Sequence, residues 1–258
     1  MKALLAPLCA VALALSALSA QAQSALNDIL SSGVLKVGTT GDWNPMTMRD
    51  PATNGYVGFD IDVMTALAED LGVKVEFVPT DWKTLVAGVV AGKYHITGSA
   101  SISAARAKAA GFSRSYFSLV TVPLTLAENE GRFREWSDLD KPEVTVAATL
   151  GTTQEQQVKQ YLPNATHKIV EAPARDFQEV LSGRADAHIT SNVEAFKLID
   201  QYPQLTIMPV EEPIARTPVA MLLPQADQVW INYVNTWIEL QTERGLFYDL
   251  AAKWRLAE

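Results

Sequence analysis

The chain has 258 residues and a formal net charge of −8 at pH 7. An acidic chain without basic clusters is a poor candidate for binding nucleic acid or an anionic membrane surface. Its three histidines, His95, His167 and His188, are scattered and form no pair with metal-ligand spacing, so the sequence predicts no metal site.

Residues 1–22 predict a secretory signal peptide. Lys2 is followed by an apolar run that ends at the small-residue site Ala20-Gln21-Ala22, and cleavage is expected near Ala22. No later segment is long and apolar enough to span a bilayer, so we expect no membrane insertion. The only cysteine, Cys9, lies within this signal. The mature chain is therefore expected to lack disulfide and thiol chemistry and to reside in a bacterial periplasm.

The residues that follow alternate between strand and helix patterns. Val34–Thr39 has the apolar pattern of a buried strand, and Thr40–Pro45 is rich in turn residues. Apolar residues then recur at helical spacing over 59–71, and Gly72 ends the helix. Further elements are predicted as a strand over 73–79, a helix over 82–91 and a strand over 94–97. Short links between such elements predict a mostly parallel sheet flanked by helices.

The alternation restarts beyond an extended segment at 120–126. Strands are predicted over 144–147, 168–170 and 187–190, and helices over 153–162, 174–182 and 192–200. A second extended segment, 217–223, precedes a long amphipathic helix over 227–244. Two α/β lobes joined by two extended crossover strands predict a hinged clamshell that closes on a ligand. The predicted domains are lobe 1 at 23–122 and 219–258, and lobe 2 at 123–218.

Five motifs across the mature chain resemble those of the extracellular solute-binding proteins of family 3. They are Val37–Asp42, Gly58–Asp62, Ser101–Ser103 with Arg106, Phe112–Tyr116 and Gly151–Thr153. The resemblance implies a two-lobed periplasmic binding-protein fold with a small-molecule ligand between the lobes. For the receptors of that family it also implies an ABC permease as partner.

Within that family the chain is similar to the cyclohexadienyl dehydratase branch. The similar stretches are Thr39–Asp42, Val78–Thr80 followed by Trp82, Glu130–Phe133 and Ile189–Ala195. This similarity implies a cofactor-free carbon–oxygen lyase that converts prephenate to phenylpyruvate with loss of water and carbon dioxide. Glu194 matches the general acid of the branch, and Asp42 matches an aspartate of its site.

Three threonine or serine residues depart from these patterns. Thr121 stands where the branch has a site lysine, and Thr149 stands where it has a site asparagine. Ser191 replaces the family's aspartate that pairs with the ammonium group of an amino acid. Because a buried ammonium needs a buried anion, Ser191 favours a carboxylate ligand without an α-amino group. A second function therefore stays open: an ABC-transporter receptor for such an organic acid.

Arg106 is the predicted carboxylate anchor, because its guanidinium offers two parallel donors that match a carboxylate. Ser101 begins the motif that contains it and is expected in the same site. Thr152 and Thr153 open a helix whose free amides and hydroxyls favour an anion. A simple helix cap is the alternative, since Thr152 and Glu155 have capping-box spacing.

Glu194 has two interpretations. If it faces the cleft and loses water when the lobes close, its pKa rises and it becomes a proton donor for a leaving hydroxyl. Alternatively, Ser191 and Glu194 form a capping box at the start of a helix. Trp43 and Trp82 are similarly ambiguous, because each predicts either an apolar wall for a ligand ring or a part of the core.

Overall fold

The structure is a computed structural model that describes residues 24–129, 131–210 and 214–256. The predicted signal peptide at 1–22 lies outside the described residues. Within them, no helix combines the length and apolar character needed to cross a membrane.

Ten α-helices lie within the described residues. They are α1 Ala25–Ser32, α2 Phe59–Asp70, α3 Leu85–Val90, α4 Ala104–Ala107, α5 Trp136–Leu139, α6 Thr153–Tyr161, α7 Asp176–Leu181, α8 Asn192–Gln201, α9 Gln228–Glu243 and α10 Leu246–Trp254. The strands in the same part of the chain are β1 Val34–Thr39, β2 Asp42–Trp43, β3 Thr47–Arg49, β4 Tyr56–Val57, β5 Lys74–Pro79, β6 Ile96–Thr97, β7 Ser99–Ser101, β8 Gly111–Phe112, β9 Phe117–Leu126, β10 Thr145–Thr149, β11 Thr166–Val170, β12 Ala187–Ser191, β13 Leu205–Ile207 and β14 Arg216–Leu223.

Two parallel units form the centres of the two lobes. In lobe 1, β1 pairs in parallel with β5 and with β6. In lobe 2, β10 pairs in parallel with β11 and with β12. The long strands β9 and β14 run antiparallel to each other, and β9 also runs antiparallel to β12. The predicted α/β fold, with two parallel units and two crossover strands, is confirmed.

Separate hydrophobic clusters support the two lobes. The largest contains Phe59 and Leu67 from α2 with Trp230 and Trp237 from α9, all buried. Two further clusters draw their buried residues from 122–208. The amphipathic pattern predicted for 227–244 thus places its tryptophans against lobe 1. The domain boundaries proposed from the sequence stay a prediction.

The turn-rich stretch after β1 forms more structure than the sequence predicts. Strands β2, β3 and β4 pair antiparallel in a small sheet of their own. Two-residue strands leave little periodic signal, so turn chemistry dominates the sequence pattern. This small sheet fixes Asp42 and Trp43 beside the carboxyl end of β1, the edge at which open α/β sheets bind ligands.

Candidate functional site

A cleft of about 530 Å³, partly open to solvent, lies between residues of both lobes. Nine of the residues predicted for the site line it: Asp42, Trp43, Trp82, Ser101, Arg106, Thr149, Thr152, Thr153 and Glu194. Lobe 2 also contributes Arg175, Asp176 and His188, which the sequence did not indicate as site residues. The strand-end motifs therefore meet in one place, and they meet beside additional charged side chains.

Arg106 is a buried cation, and its charge has no partner of opposite sign among the described residues. Its Nη1 donates to the carbonyl of Ser101 at 3.3 Å, and its Nη2 donates to the carbonyl of Gly151 at 3.2 Å. Among the described residues no carboxylate lies within ion-pair distance of it, and burial lowers its pKa to about 10. It remains protonated at neutral pH. A buried, unpaired cation is a favourable position for a ligand anion.

The loop before α6 combines capping with a free hydroxyl. Thr152 accepts from the backbone N–H of Glu155 at 3.2 Å, while Glu155 accepts from the backbone N–H of Gly151 at 2.7 Å. Thr152 therefore acts as a helix cap. The hydroxyl of Thr153 is buried and has no hydrogen-bond partner among the described residues. Of the two, Thr153 is the one left free to contact a ligand.

Gly151 lies at a close contact between the two lobes. It has a φ of +83°, in the left-handed region that favours glycine. A Cβ built on it would lie 2.7 Å from backbone atoms of Lys83 in lobe 1. Its carbonyl also accepts from Arg106, so the loop of lobe 2 rests directly on lobe 1.

Glu194 forms only half of the predicted capping box, because its carboxyl group bonds to other side chains. Its backbone N–H meets the Ser191 hydroxyl at 3.5 Å, which is half of the predicted box. Its Oε2, however, accepts from the Thr190 hydroxyl at 2.6 Å, and its Oε1 accepts from Arg175 at 2.8 Å. Burial raises the pKa of Glu194 against the opposing effects of His188 and Arg175. The side chain lines the cleft as a buried carboxyl group with a raised pKa.

Arg175 joins Glu194 to the opposite lobe. It precedes α7 and donates from Nη1 to the backbone carbonyl of Asp42 while its Nη2 donates to Glu194. Sequence reasoning placed this arginine in an ordinary helix start. No local pattern marks it, because both partners are distant in the chain.

Asp176 and His188 form a second buried pair in lobe 2. The Thr149 hydroxyl donates to Asp176 Oδ2 at 2.9 Å, and His188 Nδ1 lies 3.3 Å from the same oxygen. Burial acts to raise the pKa of Asp176, but His188, Thr149 and Arg175 together outweigh burial and the pKa is lowered. For His188, burial acts to lower the pKa, and Asp176 and Glu194 together produce a net rise. These directions describe a carboxylate beside an imidazolium.

Two tryptophans form an aromatic wall on lobe 1. The Trp43 and Trp82 rings meet edge to face with centroids 5.6 Å apart. Trp82 Nε1 donates to Asp42 Oδ1 at 3.1 Å, and Trp43 Nε1 donates to the Ser191 hydroxyl of lobe 2 at 3.3 Å. Both rings line the cleft and also pack against the lobe 1 core, and contact with a ligand ring stays a prediction.

Two predicted site residues lie outside the cleft lining. Ser191 caps α8 and accepts from Trp43, with 1% of its surface exposed. The Thr121 hydroxyl donates to Gln157 Oε1 at 2.9 Å, and Gln157 in turn approaches Thr217 on the other crossover strand. Ser191 and Thr121 therefore hold elements around the cleft, and neither presents its side chain to the space inside.

Within the described ranges, no group of three or more His, Cys, Asp or Glu side chains is arranged to hold a metal ion. The cleft chemistry that the described residues offer is that of paired acids and bases together with one unpaired guanidinium.

Residues 35–257 match the bacterial extracellular solute-binding proteins, family 3. The chain belongs to this family. This family-3 protein is 34% identical to the cyclohexadienyl dehydratase of Pseudomonas aeruginosa, over 95% of this chain and 91% of that protein. It is also 26% identical to a probable amino-acid ABC transporter-binding protein of Haemophilus influenzae, over 85% of this chain and 84% of that one.

A solved structure confirms the fold. The crystal structure of an ancestral amino acid-binding protein, described as a precursor of cyclohexadienyl dehydratase, superposes with a TM-score of 0.83. It is 36% identical and covers 90% of this chain and 99% of its own. The periplasmic binding-protein fold predicted for this family-3 protein is therefore established, and its relatives include both an enzyme and binding proteins.

Proposed function

We propose that this family-3 protein is a cofactor-free carbon–oxygen lyase that acts on prephenate or a close relative. The observation that carries the proposal is Glu194: a buried carboxyl group with a raised pKa that lines the same cleft as the unpaired Arg106. Its similarity to the Pseudomonas aeruginosa cyclohexadienyl dehydratase supports the choice of reaction.

The reaction needs a bound carboxylate, a fixed orientation and one proton. Arg106 binds a carboxylate of the substrate, and the Trp43 and Trp82 rings face its ring. Glu194 donates its proton to the leaving hydroxyl, which departs as water. The electron pair of the bond to the ring carboxylate becomes part of the aromatic ring, and that carboxylate leaves as carbon dioxide. Solvent then returns a proton to Glu194.

The surroundings of Glu194 serve both of its protonation states. Burial favours the neutral acid before the reaction. After proton transfer, Arg175 at 2.8 Å and the Thr190 hydroxyl at 2.6 Å stabilise the carboxylate. Because the acid must start protonated, activity is expected to fall as pH rises through the raised pKa of Glu194.

The test is to mix purified protein with prephenate and to follow phenylpyruvate by its absorbance. We expect turnover above the spontaneous rate, and Glu194→Gln should abolish it while leaving binding. Glu155→Gln is the matched control, since Glu155 is an equally buried glutamate in the first turn of α6 that accepts from Gly151 N–H. Wild-type turnover no faster than the spontaneous rate sinks the proposal.

The alternative function is a receptor that delivers an organic acid without an α-amino group to an ABC permease. The observation that favours it is Ser191, whose hydroxyl is held by Trp43 and leaves no acid at the ammonium position. A thermal-shift screen of organic acids tests it, because a ligand at a hundred times its Kd adds about 2.7 kcal/mol. If only acids that turn over bind, the receptor function fails.

We also infer a periplasmic location, since family membership and the predicted signal at 1–22 agree on export. Edman sequencing of the protein recovered from an osmotic-shock fraction tests it. The expected first residue is Gln23. Retention in the cytoplasm with Met1 intact contradicts it.

A further inference from the structure

His188 is a buried side chain that the proposed reaction does not use. It lies on β12, is 1% exposed and lines the cleft. Neither ring nitrogen makes a hydrogen bond with a described residue, although Nδ1 lies 3.3 Å from Asp176 Oδ2. A buried polar atom without a partner is costly, so a native site normally supplies one.

Asp176 fixes the orientation of the ring. Its Oδ1 accepts from the backbone N–H of Phe177 at 3.0 Å, and its Oδ2 accepts from Thr149 at 2.9 Å. The carboxylate is therefore held on both oxygens and faces His188 Nδ1. A carboxylate beside Nδ1 keeps a proton on that nitrogen and favours the imidazolium, in which Nε2 also carries a proton and can donate. Nε2 is the nitrogen left for a ligand.

We propose that His188 is a specificity-determining residue whose Nε2–H donates to a second oxygen of the bound acid, other than the carboxylate held by Arg106. Arg106 stands on lobe 1 and His188 on lobe 2, so the two donors contact the ligand from opposite walls. The ligand class is then an oxo, hydroxy or dicarboxylic acid. An acid whose remainder is a plain hydrocarbon leaves Nε2 unpaired and binds more weakly.

The proposal rests on the proposed function only in that a small carboxylate occupies the cleft. It holds for an enzyme and for a receptor alike. It assigns to His188 a contact with the ligand and no proton transfer, so turnover of prephenate and recognition by His188 are separate questions.

The charges that face His188 decide its protonation. Burial acts against the imidazolium, Asp176 and Glu194 favour it, and Arg175 opposes it, with a net raised pKa. A group with a raised pKa is charged below that pKa and loses its charge as pH rises through it. The preference for the oxygen-bearing ligand should therefore be largest at acidic pH and decline as His188 is deprotonated.

Three probe acids test the proposal: phenylpropanoate, phenylpyruvate and hydroxyphenylpropanoate. The second and third each carry one more oxygen, at opposite ends of the molecule. Titration calorimetry on the full mature protein should give at least one of them a Kd about tenfold lower than that of phenylpropanoate. His188→Leu should remove this preference. His167→Leu is the control, because His167 contacts the Leu162 carbonyl outside the cleft.

A second variant is needed because His188→Leu leaves the buried Asp176 carboxylate without its cationic neighbour, which can prevent folding. Asp176→Asn with His188→Leu removes both charges and should also lose the preference. Equal Kd values for the three acids, a preference that survives in the folded double variant, or binding of none of them overturns the proposal. Turnover of prephenate without the preference defeats this inference and keeps the lyase. A preference for the oxygen-bearing acid without turnover of prephenate supports this inference and defeats the lyase.

Discussion

The two walls of the cleft differ in whether their buried charged groups have partners of opposite charge. On the lobe 1 wall, the Arg106 guanidinium donates to two backbone carbonyls and has no carboxylate partner in the part of the chain that the structure describes. On the lobe 2 wall, Glu194 lies 2.8 Å from Arg175, and Asp176 lies 3.3 Å from His188. A buried charge costs several kcal/mol unless it is paired. Lobe 1 therefore has a charge for the ligand to neutralise, whereas each cation of the lobe 2 wall already has an acidic side chain beside it before any ligand arrives.

Two aspartates show the same contrast inside the lobes. Asp60 lies beneath the lobe 1 wall and accepts from Ser99 at 2.6 Å. No cation of the described ranges lies beside it, so burial raises its pKa to about 7. Asp176 is as deeply buried, yet its pKa is lowered because His188 stands against it. Burial alone does not set the protonation state. The neighbour of opposite charge decides it.

The largest expected effect comes from removing the unpaired charge of lobe 1. Arg106→Met should weaken ligand binding, and kcat/KM for prephenate, by about 100-fold or more, since a buried charged contact is worth roughly 3 kcal/mol. Its thermal stability in the absence of ligand should stay level or rise, because an uncompensated buried cation is gone. Calorimetry and thermal melts measure the two effects. An unchanged Kd would show that the ligand carboxylate binds elsewhere.

Asp60→Asn is expected to change how stability depends on pH. Asp60 binds its proton more tightly in the folded state than in the unfolded state, where its pKa is near 3.8. The native protein should therefore lose about 3 kcal/mol between about pH 4 and pH 7 from this group. The asparagine variant should show a flatter curve in urea titrations over that interval. A curve identical to that of the wild type contradicts the raised pKa.

A smaller effect is expected at the hydrogen bond that joins the walls. Trp43→Phe keeps a ring in the cleft but loses the donor to Ser191, which should weaken ligand binding by about 1 kcal/mol, or roughly fivefold. Trp254→Phe is the control, since it loses a similar bond to Asp62 outside the cleft. Both variants should be less stable, but only Trp43→Phe should change Kd. Equal Kd values for the two would refute a role in closure.

The smallest effect is expected at the exposed pair between the lobes. Lys83 and Glu171 lie 2.8 Å apart, and more than half of each side chain is exposed. Solvent and salt screen such a pair, so Lys83→Ala should change ligand Kd by less than about twofold at physiological salt. Measuring Kd at low and high salt checks this. A fivefold loss that disappears at high salt would show that the pair contributes to closure.

Sequence patterns predicted the parts of this protein that are local. The ends of β1, β10 and β12 have apolar runs followed by turn or capping residues, so their place at one edge of the sheets follows from the chain itself. Thr153 and Glu194 stand in such segments, and Arg106 stands in a short helix after β7; all three line the cleft, and their roles toward a ligand stay predictions.

The remaining site residues depend on tertiary contacts. His188 was one scattered histidine in the sequence, and its pairing with Asp176 exists only because β12 and α7 pack together. Arg175 likewise joins the site through its hydrogen bond to the carbonyl of Asp42, which is 133 residues away in the chain. Thr121 also depends on a tertiary contact. Its hydroxyl donates to Gln157 on α6, which is buried, and no spacing in the sequence indicates this hydrogen bond.

The separation of the two lobes in this closed arrangement depends on the absence of a side chain at Gly151. An alanine at Gly151 would place its Cβ against backbone atoms of Lys83. Because backbone atoms cannot rotate away as the end of a flexible side chain can, this clash would push the two lobes apart. Such a clash would hold the cleft ajar and lower the fraction of molecules in the binding-competent state. Ligand affinity would thus become adjustable at Gly151, through the closing equilibrium and without altering any side chain that lines the cleft.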